Sequence, residues 1–153
     1  MRQMTDEEKT ELKKRKDRFD VFRKECMPVL HDFANILGCE SPHEILIVPE
    51  KFLPYISKYM AAQDVSDSNR IWLMTRIGYF IGEWLVGKFD GCWVVDESVE
   101  SKTFSRYVIG EFGGAGAGKV IDPFSLAQAY VDTRPPRNLI EQLDLVVNSF
   151  EDS

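Results

Sequence analysis

The sequence predicts an α+β domain, with N-terminal helices and a buried central helix packed on a small antiparallel sheet, and two C-terminal helices after it. Three observations lead there. Residues 71–87 are apolar nearly all round, as in a helix covered on several sides. Cys92–Val95 and residues 104–112 are rich in β-formers and flank a polar turn, the pattern of a hairpin. Before and after them, apolar residues recur at spacings of three and four, the period of amphipathic helices.

Thr5 and Glu8 have the spacing of a capping box, opening a helical stretch over 5–37. It is one long helix, or two joined at Pro28, where a missing N–H favours a kink. Its stripe runs through Leu12, Phe19, Phe22, Cys26, Leu30 and Phe33. The first twenty residues are thin in apolar positions, so a protruding helical arm is expected on a single domain spanning 1–153. Lys13, Lys14, Arg15, Lys16 and Arg18 follow Glu7, Glu8 and Glu11, and read as a solvated face rather than a nucleic-acid contact.

Gly38 closes that stretch and Ser41-Pro42 turns the chain. Residues 44–48 form either an edge strand or the lead-in to a helix. Residues 49–60 read as a helix with Pro54 in its first turn. In the central helix, Gly78 and Gly82 share one face, which suggests close approach of another backbone. Arg76 and Glu83 share nearly one face two turns apart, and a buried carboxylate needs a partner such as Arg76 or Arg106. Asp67, Ser68 or Asn69 can cap its start, and Gly91 suits a positive-φ turn at its end.

In the second strand, Phe104, Arg106, Val108 and Gly110 face one side, and Ser105, Tyr107, Ile109 and Glu111 the other. Gly113–Gly118 reads as a flexible loop, and Val120-Ile121 as a short third strand. Asp122-Pro123 is a cap followed by a first-turn proline. It opens a helix over 124–131, and after a proline break the last helix covers 138–150. Residues 151–153 are expected to fray.

The formal charge of −6 lacks the basic footprint of nonspecific nucleic-acid binding and suits a basic protein partner. Three cysteines, none in C-x-x-C spacing, argue against a disulfide framework or zinc knuckle and for reduced cytoplasmic thiols. The N-terminus is charged from the start, so no secretory signal is expected. The central helix is short for a membrane span and contains Arg76 and Glu83.

Gly113-Gly-Ala-Gly-Ala-Gly118-Lys119 fits the first part of a phosphate-binding loop, in which backbone N–H groups cradle oxygens and a lysine neutralises charge. Val120 stands where a magnesium-binding hydroxyl belongs, and no helix is expected at the lysine. His31 and His43 lie near no nucleophile motif and form no metal cluster. Glu83, Asp96, Glu97 and Glu111 approach one another only if the hairpin brings them together.

Gly78-Tyr-x-x-Gly82-Glu83, then Gly91-x-Trp93, then Pro123-Phe124 resembles a group of small uncharacterised bacterial domains, over roughly residues 70–150. The resemblance implies the same architecture and a bacterial origin, brings no activity or catalytic residue, and singles out Glu83 and Trp93.

The leading expectation is a non-catalytic protein-binding domain, an immunity-type or adaptor protein. Its acidic patch would come from Asp96, Glu97, Glu100 and Glu111. One alternative is a small-ligand binder or enzyme built on Glu83 and the glycine loop; another is a self-associating module using the N-terminal helix as a dimer arm. The candidate binding residues are Arg76, Glu83, Trp93, Arg106, Glu111 and Lys119, with no cofactor and no metal.

Overall fold

The computed structural model describes residues 2–61 and 63–151; residues 152 and 153, expected to fray, lie outside them. The described residues form helices α1 (Asp6–Asp17), α2 (Phe19–Ile36), α3 (Leu53–Met60), α4 (Arg70–Phe89), α5 (Pro123–Asp132) and α6 (Leu139–Glu151). A two-stranded sheet, β1 (Cys92–Val95) and β2 (Tyr107–Gly110), sits between α4 and α5 in the chain. The strands pair antiparallel, with Trp93 opposite Ile109 and Val94 opposite Val108. This is the expected α+β arrangement, and no helix among the described residues is long and apolar enough to cross a membrane.

α4 is the centre. Leu73, Ile77, Tyr79, Phe80, Ile81, Trp84 and Leu85 are all buried, and its most extensive contact is with α5. Gly78 and Gly82 admit rings rather than the expected backbone. A Cβ on Gly78 would lie 2.3 Å from the Phe124 ring, and one on Gly82 would lie 2.0 Å from Trp93. Both are closer than any van der Waals contact, so the two aromatic side chains fill the space that the glycines leave.

The helix ends on Asp90, not Gly91, in the left-handed region (φ 55°) that aspartate tolerates better than most residues. Gly91 is needed for room, since a Cβ there would meet the Phe112 ring at 2.7 Å. Asn69 is the N-cap residue without a capping side-chain bond; its Oδ1 accepts instead from the N–H of Ser66.

The N-terminal helices part at Arg18, not at Pro28, which lies within α2. Pro28 and Lys24 are both exposed, so the carbonyl that the proline cannot serve faces solvent. At the break, the Arg15 carbonyl, whose helical partner would be the Phe19 N–H, accepts the Tyr107 hydroxyl at 2.8 Å. α1 therefore lies along the hairpin instead of protruding. The Thr5–Glu8 capping box starts it, Leu12 is its buried residue, Glu11 accepts the Ser105 hydroxyl, and Lys16 pairs with Glu97.

Residues 44–48 form no edge strand; 3₁₀ turns at Pro42–Leu46 and Pro49–Phe52 lead into α3. β2 is shorter than 104–112 because Ser105 (φ 63°) and Glu111 (φ 55°) turn left-handed at either end. Val120-Ile121 reduces to one bridge, Ile121 to Ile109. Asp122 caps α5 by accepting from Phe124 and Ser125 N–H groups, with Pro123 in the first turn. The proline break is more than a spacer: buried Arg137 donates to the Met60 and Gln63 carbonyls, tying the start of α6 to the end of α3.

The turn after β1 is organised around Asp96. The side chain is buried, and it accepts from the Ser98 N–H at 3.0 Å and from the Ser101 and Thr103 hydroxyls, each at 2.6 Å. Burial alone would raise its pKa; these donors outweigh burial and hold it below the ordinary carboxylate value.

Two predictions follow from these packing and polar constraints. Gly82→Ala should lose about 1–3 kcal/mol in urea unfolding through overpacking against Trp93, whereas Gly87→Ala, exposed in the same helix with nothing within 4 Å, should gain up to about 1 kcal/mol. Equal effects would remove the steric account. For Asp96, folded pKa below unfolded pKa means the contribution is complete above about pH 3.9 and disappears as pH falls through the folded value. The thermal midpoint should therefore drop as pH falls below the ordinary aspartate value of about 3.9, and Asp96→Asn should reduce that part of the decline.

Candidate functional site

The rings seated on α4 carry a larger aromatic cluster. Phe22 of α2 is its hub, with centroids 4.2 Å from Tyr107, 4.9 Å from Trp93 and 5.0 Å from Tyr79. Phe124 completes it at 5.9 Å from Trp93 and 5.7 Å from Tyr79. The Tyr79 hydroxyl donates to the Phe22 carbonyl at 3.2 Å, so the hub is fixed through backbone as well as ring contact. Burial first, then the nearby Glu25 charge, push the Tyr79 phenol up.

Above this cluster lies an open trough of about 440 Å³, lined by Phe22, Tyr79, Tyr107, Phe124, Met74 and Thr75, with Arg15, Arg106, Asp122, Ser125 and Gln128 around them. A second concavity of about 710 Å³ adjoins it along α1 and α2, sharing Arg15, Phe22 and Tyr107 and adding Glu11, Lys14, Asp17, Arg18, Val21 and Glu25. The two concavities adjoin at these three shared residues.

Its charged groups are positioned by separate elements. Arg15 projects from α1 with its guanidinium 5.6 Å from the Tyr107 ring centroid, a cation–π distance. Arg106, just before β2, donates from Nη1 to Asp122 Oδ2 at 3.1 Å, while its side chain stays 55% exposed. Asp122 is more fully committed: it also accepts from the Phe124 and Ser125 N–H groups and the Ser125 hydroxyl.

The sequence-nominated residues do not converge here. Trp93 supports the floor from beneath, and Arg106 lines the trough. Arg76 and Glu83 are not paired. The Arg76 guanidinium stacks 4.1 Å over Trp72 and donates to the Trp72 carbonyl. Glu83, 14% exposed at the side chain, instead meets Arg23 Nη1 at 3.5 Å and accepts the Cys26 thiol at 3.4 Å. It lines neither half of the groove. Burial and the adjoining Glu83 carboxylate push the Cys26 thiol pKa up, which suits a packed thiol rather than a nucleophile.

Glu111 is exposed and accepts the Cys92 thiol at 2.8 Å. The acidic patch loses Asp96, which is buried, and Glu97 is paired with Lys16. In the glycine loop, residues Gly114–Gly116 form a 3₁₀ turn packed beneath Phe150, whose ring leaves no room for a Cβ on Gly116. Lys119 donates to the Ser149 carbonyl at 3.0 Å, and the next helix starts at Pro123 rather than at the lysine. A phosphate cradle lacks its helix N-terminus there. Among the described residues no group of three or more His, Cys, Asp or Glu side chains is placed to hold a metal ion.

Sequence reasoning passed over Phe22, Tyr79, Tyr107, Phe124 and Arg15 as groove residues. Tyr79 and Phe124 lay inside the motif segments Gly78-Tyr and Pro123-Phe, a signal open to reading. Arg15 had none, because its neighbours Lys14 and Lys16 share its charge and only the bend at Arg18 aims the helix at Tyr107.

The Tyr107 hydroxyl is the polar tie between the groove floor and its α1 wall. Tyr107→Phe should cost about 1 kcal/mol and raise amide exchange within α1 more than within α4, as read by hydrogen–deuterium exchange. Uniform exchange would show that the hydroxyl does not hold α1.

No protein-family model, curated protein or solved structure gives a significant match to this chain.

Proposed function

We propose that the chain is a non-catalytic protein-binding domain, in the manner of an immunity-type or adaptor protein, which takes up a partner's segment in the groove between α1, α2, β2 and α5. One observation carries the reading: an open trough floored by Phe22, Tyr79, Tyr107 and Phe124, with a second concavity adjoining it at Arg15, Phe22 and Tyr107. An open groove with apolar side chains and a few polar groups suits an extended segment, with rigid aromatic anchors for a hot spot. The enzyme alternative depended on Glu83, and that carboxylate is engaged by Arg23 and Cys26 outside the groove. The basic-partner argument depended on an acidic patch whose first member, Asp96, is internally bonded. A partner is therefore better sought by the chemistry of the groove than by the net charge.

Gln128 is exposed on α5 at the edge of the groove, so Gln128→Trp fills it without touching the core. Tagged wild-type chain should capture one stoichiometric partner from the source lysate, and Gln128→Trp should retain at least about tenfold less, the effect of about 1.4 kcal/mol. Equal capture by both proteins, or no partner above background, would remove the proposal. Capture of the chain itself would assign self-association instead.

A further inference from the structure

We infer that the groove recognises a carboxylate carried next to a bulky apolar side chain on the partner segment, with Arg15 and Arg106 taking the carboxylate and the aromatic floor taking the apolar group. This rests on the protein-binding reading above. In a chain of net charge −6, both arginines come to the same aromatic trough. Arg15 makes no ion pair among the described residues, although Arg2, Arg23, Arg70 and Arg106 each meet a carboxylate. Its guanidinium lies over Tyr107, a placement that leaves its planar fork available to a carboxylate.

Arg106 commits one donor atom to Asp122, and a guanidinium has five N–H donors. Asp122 in turn is satisfied by the start of α5, so it competes weakly for what remains of Arg106. Of the other acids on the groove, Glu11 accepts the Ser105 hydroxyl and Asp17 pairs with Lys13; Glu25 lines the α2 side with Lys14 and Arg18, and its charge reaches Tyr79 on the trough floor. The trough end, bounded by Arg15, Arg106, Gln128 and the rings, is where an anion meets cations on an apolar wall. Charge-assisted hydrogen bonds gain strength in such a setting. A bulky apolar group beside the anion would cover Phe22, Phe124 and Met74.

The carboxylate is assigned to a glutamate or aspartate side chain of the segment rather than to a chain terminus, since an open trough does not require the segment to end there. Three fluorescein-labelled peptides of phenylalanine with serine spacers separate them: one with glutamates and an amidated end, one with lysines and an amidated end, and one with glutamines and a free C-terminal carboxylate. Polarisation with the full chain should show saturable binding of the glutamate peptide and none of the lysine peptide; binding of the free-carboxylate peptide alone would assign a chain terminus and overturn the side-chain assignment. Arg15→Glu should weaken binding of the glutamate peptide about ten- to a hundredfold. Lys58→Glu, the same charge change on α3, should leave it within about twofold, since Lys58 is exposed and lines neither half of the groove. Matching melting curves for the two variants would show that folding is not the cause.

Equal binding of lysine and glutamate peptides, no binding of any peptide, or indifference to Arg15→Glu would overturn the inference. If a lysate partner is still lost on Gln128→Trp but retained by Arg15→Glu, the groove binds protein and the carboxylate preference alone fails. If no partner is captured and no peptide binds, both fail.

Discussion

The seating of Phe124 and Trp93 on the bare face of α4 is the contact on which the rest of the structure depends. Gly78 and Gly82 each cost the helix about 1 kcal/mol relative to alanine, so helix propensity alone would remove them. Large flat rings in van der Waals contact with a helix backbone offset that cost through buried area and dispersion. The geometry then propagates. Phe124 fixes how close α5 comes, and Trp93 fixes how close β1 comes. Phe22 is held at a distance set by both, with Tyr79 and Tyr107 alongside. The groove floor is thus a consequence of two missing methyl groups on α4.

The periodic and punctuated parts of this architecture were legible in the sequence, and the parts set by contacts between distant residues were not. α4, β1, α6, the Thr5 capping box and the Asp122-Pro123 start were readable because burial pattern, caps and proline are local signals. The glycine pair was recognised as a close approach, but nothing local says that the approaching group is a ring. The break at Arg18 has no glycine or proline; it is stabilised by Tyr107, 92 residues away in the chain. Ser105 and Glu111 adopt left-handed backbone where their residue types give no reason to expect it. For Ser105 the reason is tertiary: its N–H donates to the Asp96 carbonyl at 2.7 Å and its hydroxyl to Glu11. Arg76 and Glu83 share a helix face as their spacing implies, yet Glu83 turns to α2, because Arg23 and Cys26 offer charge and a donor there.

α1 and α4 represent two different ways of holding a helix. α4 is fixed by apolar contact on nearly every side. α1 buries Leu12 and otherwise meets the hairpin through the Ser105 hydroxyl on Glu11, the Tyr107 hydroxyl on the Arg15 carbonyl and the exposed Lys16–Glu97 ion pair. Exposed ion pairs contribute little, on the order of 0–1 kcal/mol each. The wall of the groove is therefore less firmly fixed than its floor, and local opening of α1 lies at the low end of the stability range. On the proposed binding reading, a firmly packed aromatic floor with one less firmly held wall would suit segments of different bulk.

The charge distribution adds a constraint on how such a groove operates. On the proposed carboxylate reading, the chain presents −6 at long range, which repels an acidic partner, whereas Arg15 and Arg106 attract it at contact. The two effects have different reach. The repulsion acts through solvent and is screened beyond about 10 Å at 0.1 M salt, whereas a carboxylate held between guanidinium groups on an aromatic wall is screened much less. Long-range steering therefore slows encounter at low ionic strength, and contact chemistry decides the lifetime of the complex once formed. Adding salt to a dilute buffer relieves the repulsion before it weakens the arginine contacts. Affinity for an acidic segment then passes through a maximum with ionic strength, where a basic partner attracted by the net charge would only lose affinity as salt is added.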